Sequence, residues 1–594
     1  MLKQVQHDEE RSGVRAQIAC LSAILLCLAT PVVANPADDR FEALAAQEWA
    51  WRQQTQQSEE SNKGGIPAHL PDESLETQKA REWSWADVLR KLDRIRPGDL
   101  SPKKQEDYGV YRAQIATLLD AQRFRDFEKP LNSDSAFWAD IGYYARQPLR
   151  GEADAAHLLS LMREIPRYFA QNIANMRAGL QRGFTPPKIV MVGRDASIAA
   201  IAEAKSPTDT FWFEPFKTMP ATIPAARQAA MRAEAEALIR DRIIPAYGSL
   251  LAFMRSDYLP HLREGLAAES WPDGKAYYRA QVRAYTTLDL PPEEIHRIGL
   301  AEVAKIRAQM DIVMKEVKFQ GDFPAFLHFL RTDPQFYVTT PQALLDRAAW
   351  IAKQFDGRAA RWFGRMPRGR FGIVPVPTDI APYYTAGRGG QDRYLLNTYD
   401  LPSRPLFQLT ALTLHESAPG HSWQLSMAAE NEDRPDYRRY TYVSAYGEGW
   451  ALYCEKLGVE MGMYETPYER FGMLSYQMWR AARLVIDTGI HAQGWSRARA
   501  IAFLKDNSAL SEHEIETEVD RYIGWPGQAL SYYLGELQIE KERVRAEQAL
   551  GQRFDIRAFH DMILSLGSVP LPVITARTDR FIAEGGKGPW PLPD

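Results

Sequence analysis

Apolar residues recur at helical spacing along most of the chain. Ile223 to Arg255 carries one such stripe. Another opens at Pro291–Pro292–Glu293–Glu294 and runs through Ile295, Ile298, Val303 and Ile306 towards Val317. Proline in a first turn and acids near the positive end of a helix are start signals. A third stripe runs from Pro341 through Phe355. From Trp83 on these patterns dominate and no internal repeat interrupts them, which predicts a mainly α-helical body. The break comes between Phe371 and Tyr399. Phe371 to Pro377 is β-branched and punctuated by proline, as in an edge strand. Gly387–Arg388–Gly389–Gly390 reads as a turn, and Arg393 to Tyr399 as a second strand. The glycine cluster lacks the Lys-Ser/Thr and the immediate helix of a phosphate loop.

The two ends differ from the body. Ala16 to Ala34 is the one long apolar run, preceded by Arg11 and Arg15 and ending in the small residues Val32 and Ala34. It predicts a signal peptide over residues 1–34, cleaved after Ala34, and an exported, periplasmic protein. Acylation at Cys20 or Cys27 fits less well. Leu26 precedes Cys27, and little apolar sequence precedes Cys20. Residues 35–80 read as a polar arm with one helix, Arg40 to Gln56. Residues 81–285 and 286–594 are expected to form an N-terminal helical part and a metal-binding part of one continuous domain. Removal of the leader would leave Cys454 as the single cysteine, so no internal disulfide is expected. Its apolar surroundings predict a buried small hydrophobe.

Composition narrows the function. Hydrophobic residues are 45% and charged residues 25%, as in a globular protein. Lys+Arg 72 against Asp+Glu 76 supplies no basic field for a nucleic-acid backbone. The informative segment is Leu409 to His421, with His415–Glu416 adjacent and His421 after Ser417–Ala418–Pro419–Gly420. Histidines four apart share a helix face and can hold one metal. These are six apart, which on an ideal helix turns them about 120° from each other. Pro419 interrupts the hydrogen-bond ladder and Gly420 permits unusual dihedrals, so His421 can swing back. Further on, Glu448 and Glu455 share a helix face in the apolar run Trp450 to Tyr453, where a carboxylate needs a cation or hydrogen bonds. His415, His421 and Glu448 would leave one position open on a zinc ion. Glu416 would be the general base, and Glu455 would orient a ligand histidine. Arg521, Tyr532 and Tyr533 are candidate partners for an oxyanion, with nothing to choose between the tyrosines; Gln528, in the same stretch, is a candidate substrate contact. Asp487 and His491, four apart, read as a pair behind a ligand, as a substrate contact or as a structural pair. His513–Glu514 has no later histidine at useful spacing and looks like an acidic helix start.

His-Glu-Ser-Ala-Pro-Gly-His, Glu-Gly-Trp-Ala-Leu-Tyr-Cys-Glu, Asp-Thr-Gly-Ile-His and the later Arg-Tyr, Pro-Gly-Gln-Ala and Tyr together resemble the bacterial proteins grouped as domain of unknown function 885. Members look like zinc peptidases of the thimet-oligopeptidase and Taq-type carboxypeptidase kind. The resemblance implies a helical body with a deep channel, a small sheet beside the metal, one Zn2+ on His415, His421 and Glu448, and Glu416 as the catalytic glutamate. Ser422 stands where many relatives carry a second histidine. The expected function is hydrolysis of a peptide substrate. On that reading the strand Arg393 to Tyr399, with Tyr394 and Asn397, would pair with the substrate backbone. The alternatives are a non-catalytic exported binding protein with a degenerate site, and an amidase acting on non-peptide amides.

Overall fold

The computed structural model describes residues 35–56, 65–133, 135–378 and 380–591. The segment read as a signal peptide, 1–34, lies outside them. Helices account for 71% of the chain, with one small sheet, so the fold is mainly α. The three stripes form as expected. Pro292–Glu316 and Pro341–Asp356 are regular, and the first stripe is Ala225–Leu238 continued through π-helical turns into Ile244–Phe253. No helix among the described residues is long and apolar enough to cross a membrane.

The polar arm is packed rather than loose. Helix Pro36–Gln56 buries Phe41 and Ala45 against Trp85, Tyr111 and Ile115 in a small second core. Inside that core Glu48 pairs with Arg52 and accepts hydrogen bonds from Trp85 and Tyr111, so its charge is fully partnered.

The main core surrounds helix Pro467–Gln493, here the central helix. Nearly every residue from Phe471 to His491 is buried, as required of a helix packed on all sides. Thr466 and Glu469 form a capping box at its start. Glu469 also accepts a hydrogen bond from the Thr410 hydroxyl, which ties this start to helix Leu406–Glu416. Helices Ser444–Glu460 and Ser531–Leu550 run against each other at very close range. A Cβ on Gly535 would lie 1.9 Å from the Ala445 carbonyl oxygen, and one on Gly449 would lie 2.5 Å from the Gly535 Cα. Only glycine at both positions permits this crossing, and the crossing sets Glu448 and Tyr532 on neighbouring backbones.

The sheet has strand order β1–β3–β2: β1 is Gly372–Pro375, β2 is Gly387–Gly389 and β3 is Arg393–Leu396. β1 runs parallel to β3 with Gly372 opposite Arg393, and β2 runs antiparallel with Gly387 opposite Leu396. This corrects two sequence expectations. The glycine cluster is a strand, because residues 390–392 make the reversal and Gly390 N–H closes it on the Arg393 carbonyl. The second strand ends at Leu396, because the Asn397 side chain turns back onto the backbone beyond it.

The helix crossing is testable. Gly535→Ala should cost about 3 kcal/mol or more, through overpacking against a backbone that has no room to retreat. Urea unfolding of the variant should show the loss, and wild-type stability would contradict the close crossing.

Candidate metal centre

Helix Leu406–Glu416 ends immediately after His415, and helix His421–Ala429 begins at the second histidine. The segment between them reverses the chain. Ser417 leaves helical geometry (φ −109°, ψ −107°), the Ala418–Pro419 peptide is cis, and Gly420 N–H donates back to the Leu414 carbonyl at 3.0 Å. A Cβ on Gly420 would stand 1.9 Å from the His415 carbonyl oxygen, so the tightness of the turn requires glycine there. The Trp450 indole N–H donates to the Pro419 carbonyl at 2.8 Å, pinning the turn to helix Ser444–Glu460. The sequence expected Pro419 and Gly420 to break the helix and swing His421 back; the structure does so with two helices and a reversal between them.

The reversal brings the imidazoles together, with ring centroids 4.9 Å apart at 86°. Ligand atoms of His415, His421 and Glu448 all lie within 4.8 Å of one another. Glu448 Oε2 is 3.5 Å from His415 Nε2 and 3.4 Å from His421 Nε2. His415 Nδ1 donates to Glu455 Oε1 at 2.7 Å, in a pair that is completely buried. With a proton on Nδ1 held by Glu455, His415 presents Nε2 towards Glu448 and His421, as an N–H donor when the ring is charged and as a lone pair when it is neutral. Burial opposes an imidazolium here, but the hydrogen bonds to Glu448 and Glu455 outweigh it and raise the His415 pKa to about 10. Two imidazole nitrogens and a carboxylate oxygen aimed at one point form a donor set that fits a divalent cation.

The remaining groups stand around this cluster. Gly389 N–H of β2 donates to Glu416 Oε2 at 2.6 Å, and a Cβ on Gly389 would lie 2.0 Å from the Glu416 carbonyl oxygen. The sheet edge therefore abuts the His-Glu helix and holds the carboxylate. The Ser422 hydroxyl donates to the Glu416 carbonyl, a structural contact. Tyr442, which the sequence reading missed, donates to Glu448 Oε1 at 3.4 Å. The residue is 51% exposed, yet its hydroxyl end faces inward. Burial of that end, then Glu448, Tyr532 and Glu416, push its pKa well up. Its sequence signal is the Tyr-x-x-x-Tyr-Gly-Glu run, which has no known spacing rule behind it. Arg521 bonds Gln528 at 3.0 Å and faces the Tyr532 hydroxyl, while Arg483 covers the Tyr532 ring at 4.4 Å. Arg521, Gln528 and Tyr532 thus form one group, and Tyr532 is near enough to Tyr442 to act on it electrostatically.

The family model described as "Bacterial protein of unknown function (DUF885)" matches residues 58–577. The chain belongs to this family. No curated protein matches it. The solved structure of "the putative lipoprotein from Colwellia psychrerythraea" is 23% identical, covers 93% of this chain and 100% of its own, and superposes with a TM-score of 0.83. A "putative lipoprotein of unknown function from Shewanella oneidensis" is 17% identical, covers 92% and 100%, and has a TM-score of 0.66. These two likenesses establish a shared fold.

Several sequence-predicted residues of this family member lie apart from the cluster. Tyr533 donates to Glu302 at 2.9 Å, about 100° round its helix from Tyr532. Asp487 and His491 do not bond each other. Asp487 accepts from Tyr278 and from Gly527 N–H. His491 is fully buried, with Nδ1 on Ala268 N–H and Nε2 on the Tyr522 carbonyl. Both are satisfied core groups with no free valence for a substrate or a ligand histidine. Asn397 is equally buried, its amide donating to the Ala381 and Tyr384 carbonyls. Tyr394 is fully buried, its ring against Gly387. β3 carries both residues or abuts them, and it is the inner strand, so its edges are already paired and it cannot receive a peptide. Cys454 is buried, as its neighbours predict.

Burial lifts the Asp487 pKa from 3.8 to about 7, against the hydrogen bonds from Tyr278 and Gly527. The folded state then keeps a proton that the unfolded state has lost, so this residue makes stability fall as pH rises from about 4 to 7. Asp487→Asn keeps the acceptor for Gly527 and removes the titration. Its stability difference from wild type should shift in its favour across that window; a pH-independent difference in chemical unfolding would show that Asp487 does not titrate there.

Proposed function

We propose that the chain is an exported zinc-dependent peptidase. The carrying observation is the convergence of His415, His421 and Glu448 within 4.8 Å, with the Glu416 carboxylate held beside them by Gly389. His415, His421 and Glu448 would hold the ion, and Glu455 keeps His415 in the tautomer that offers Nε2. A bound zinc ion supplies a Lewis acid that polarises the scissile carbonyl and acidifies water. Glu416 takes the proton from the attacking water and passes it to the leaving amine. Tyr442 and Tyr532 would supply hydroxyl donors to the oxyanion from two other elements.

Substrate alignment is assigned to β2. Ala386 and Gly390 bond β3, which puts the peptide groups of Gly387 and Gly389 on the outer edge of the sheet. One of these, Gly389 N–H, holds Glu416. The Gly389 carbonyl remains on that edge as an acceptor for an extended peptide, while Gly387 is buried. Export rests on the leader-like residues 1–34, and a periplasmic location follows from that reading.

Glu416→Gln should reduce peptide hydrolysis by roughly 10²- to 10⁴-fold while zinc stays near one per chain, and His415→Ala should lose the metal. Elemental analysis beside a chelator-controlled peptide assay reads both. Undiminished turnover in Glu416→Gln contradicts the base, and full zinc in His415→Ala contradicts the ligand set. Wild-type protein that holds zinc yet cleaves only non-peptide amides would favour the amidase, and one that cleaves nothing would favour a binding protein. Tyr532→Phe should lower kcat by about tenfold or more with little change in KM, whereas Tyr533→Phe should leave both unchanged.

A further inference from the structure

A second polar cavity, of about 370 Å3, lies where the turn after helix Glu512–Gly524 meets the segment 126–140. None of His415, Glu416, His421 and Glu448 lines it. Its size is that of a small-molecule site. The walls are aromatic, with Phe137, Tyr168, Tyr285 and Trp525 among them, and Asp126 and Lys129 face the space.

These two charges attract each other but are only weakly bonded. Among the described residues the Lys129 ammonium makes no hydrogen bond or close ion pair; its Nζ stands over the rings of Trp271 at 5.1 Å and Phe184 at 5.7 Å. Asp126 Oδ2 accepts a long hydrogen bond from Gln281 at 3.5 Å and the carboxylate is approached by Tyr277, while Oδ1 is buried with no close partner. Burial drives both groups towards their neutral forms. It lowers the Lys129 pKa and raises that of Asp126 to about 6, with the two partly offsetting each other. Glu73 and Asp140 add further carboxylates to the rim.

The chemistry of a fitting ligand follows by elimination. A simple anion would meet the carboxylates of Asp126 and Asp140, beside a Glu73 that Arg81 already pairs. A simple cation would meet the ammonium. A neutral ligand would add no charge complement to Asp126 or Lys129. A molecule bringing a carboxylate to Lys129 and an ammonium to Asp126 satisfies both, and the aromatic walls suit an apolar side chain. We propose that this cavity binds a small zwitterion, a free α-amino acid or a dipeptide, through Lys129 and Asp126. None of the metal-cluster residues lines the site, and the proposal does not rest on the peptidase reading.

Isothermal titration of the full mature chain tests this with L-phenylalanine, glycyl-L-phenylalanine, N-acetyl-L-phenylalanine and L-phenylalaninamide. At least one of the first two should bind saturably, and blocking either charged end should weaken binding by about tenfold or more. Lys129→Met and Asp126→Asn, each shown to fold by its thermal transition, should weaken it similarly, while His421→Ala should keep it. Equal binding of free and blocked forms, no saturable binding of either zwitterion, wild-type affinity in both pocket variants, or loss in His421→Ala would each overturn the proposal. The last result would move the ligand to the metal centre, so failure here leaves the peptidase reading standing.

Discussion

Two imidazole nitrogens and a carboxylate oxygen share a buried space, and a positive charge, a proton or a cation, must sit among them. Without that charge the group costs free energy. The surrounding architecture holds these atoms together. The reversal after Glu416 returns His421 to His415, Trp450 grips the reversal, and Glu455 sets the His415 ring from behind. The Gly449–Gly535 crossing brings helix Ser444–Glu460 close enough to Ser531–Leu550 for Glu448 and Tyr532 to serve one region.

The working groups come from unlike elements. The proposed ligands sit on helices locked into the main core, where side-chain positions are well determined. Glu416 is steered by a strand, through a single backbone N–H of β2. Tyr442 sits outside both ligand helices, half exposed, and is the polar group able to reach Glu448 from the solvent side. The arrangement joins a rigid base to an accessible flank, as a site that must admit and release a ligand requires.

What the sequence made legible was short-range. The histidines, Glu416 and the Glu448–Glu455 pair could be read because helix periodicity relates residues up to two turns apart. The family match over residues 58–577 agrees with the resemblance carried by those motifs. Asp487 and His491 misled for the same reason. Four residues apart on a helix, they look like partners, but each meets a backbone group brought from a distant segment, Gly527 in one case and Ala268 and Tyr522 in the other. The glycines at 387–390 read as a turn because glycine disfavours strands. In the fold, their missing side chains let β2 press against the His-Glu helix.

The amino-acid order therefore determined the helical body, the candidate histidines and carboxylates and the need for a break at Pro419–Gly420, since each depends on chemistry within a few residues. Which strand lies at the sheet edge, which tyrosine turns towards Glu448, and which buried polar groups are already satisfied were decided only by tertiary packing. Those outcomes depend on pairings between segments tens to hundreds of residues apart, and local periodicity holds no record of them.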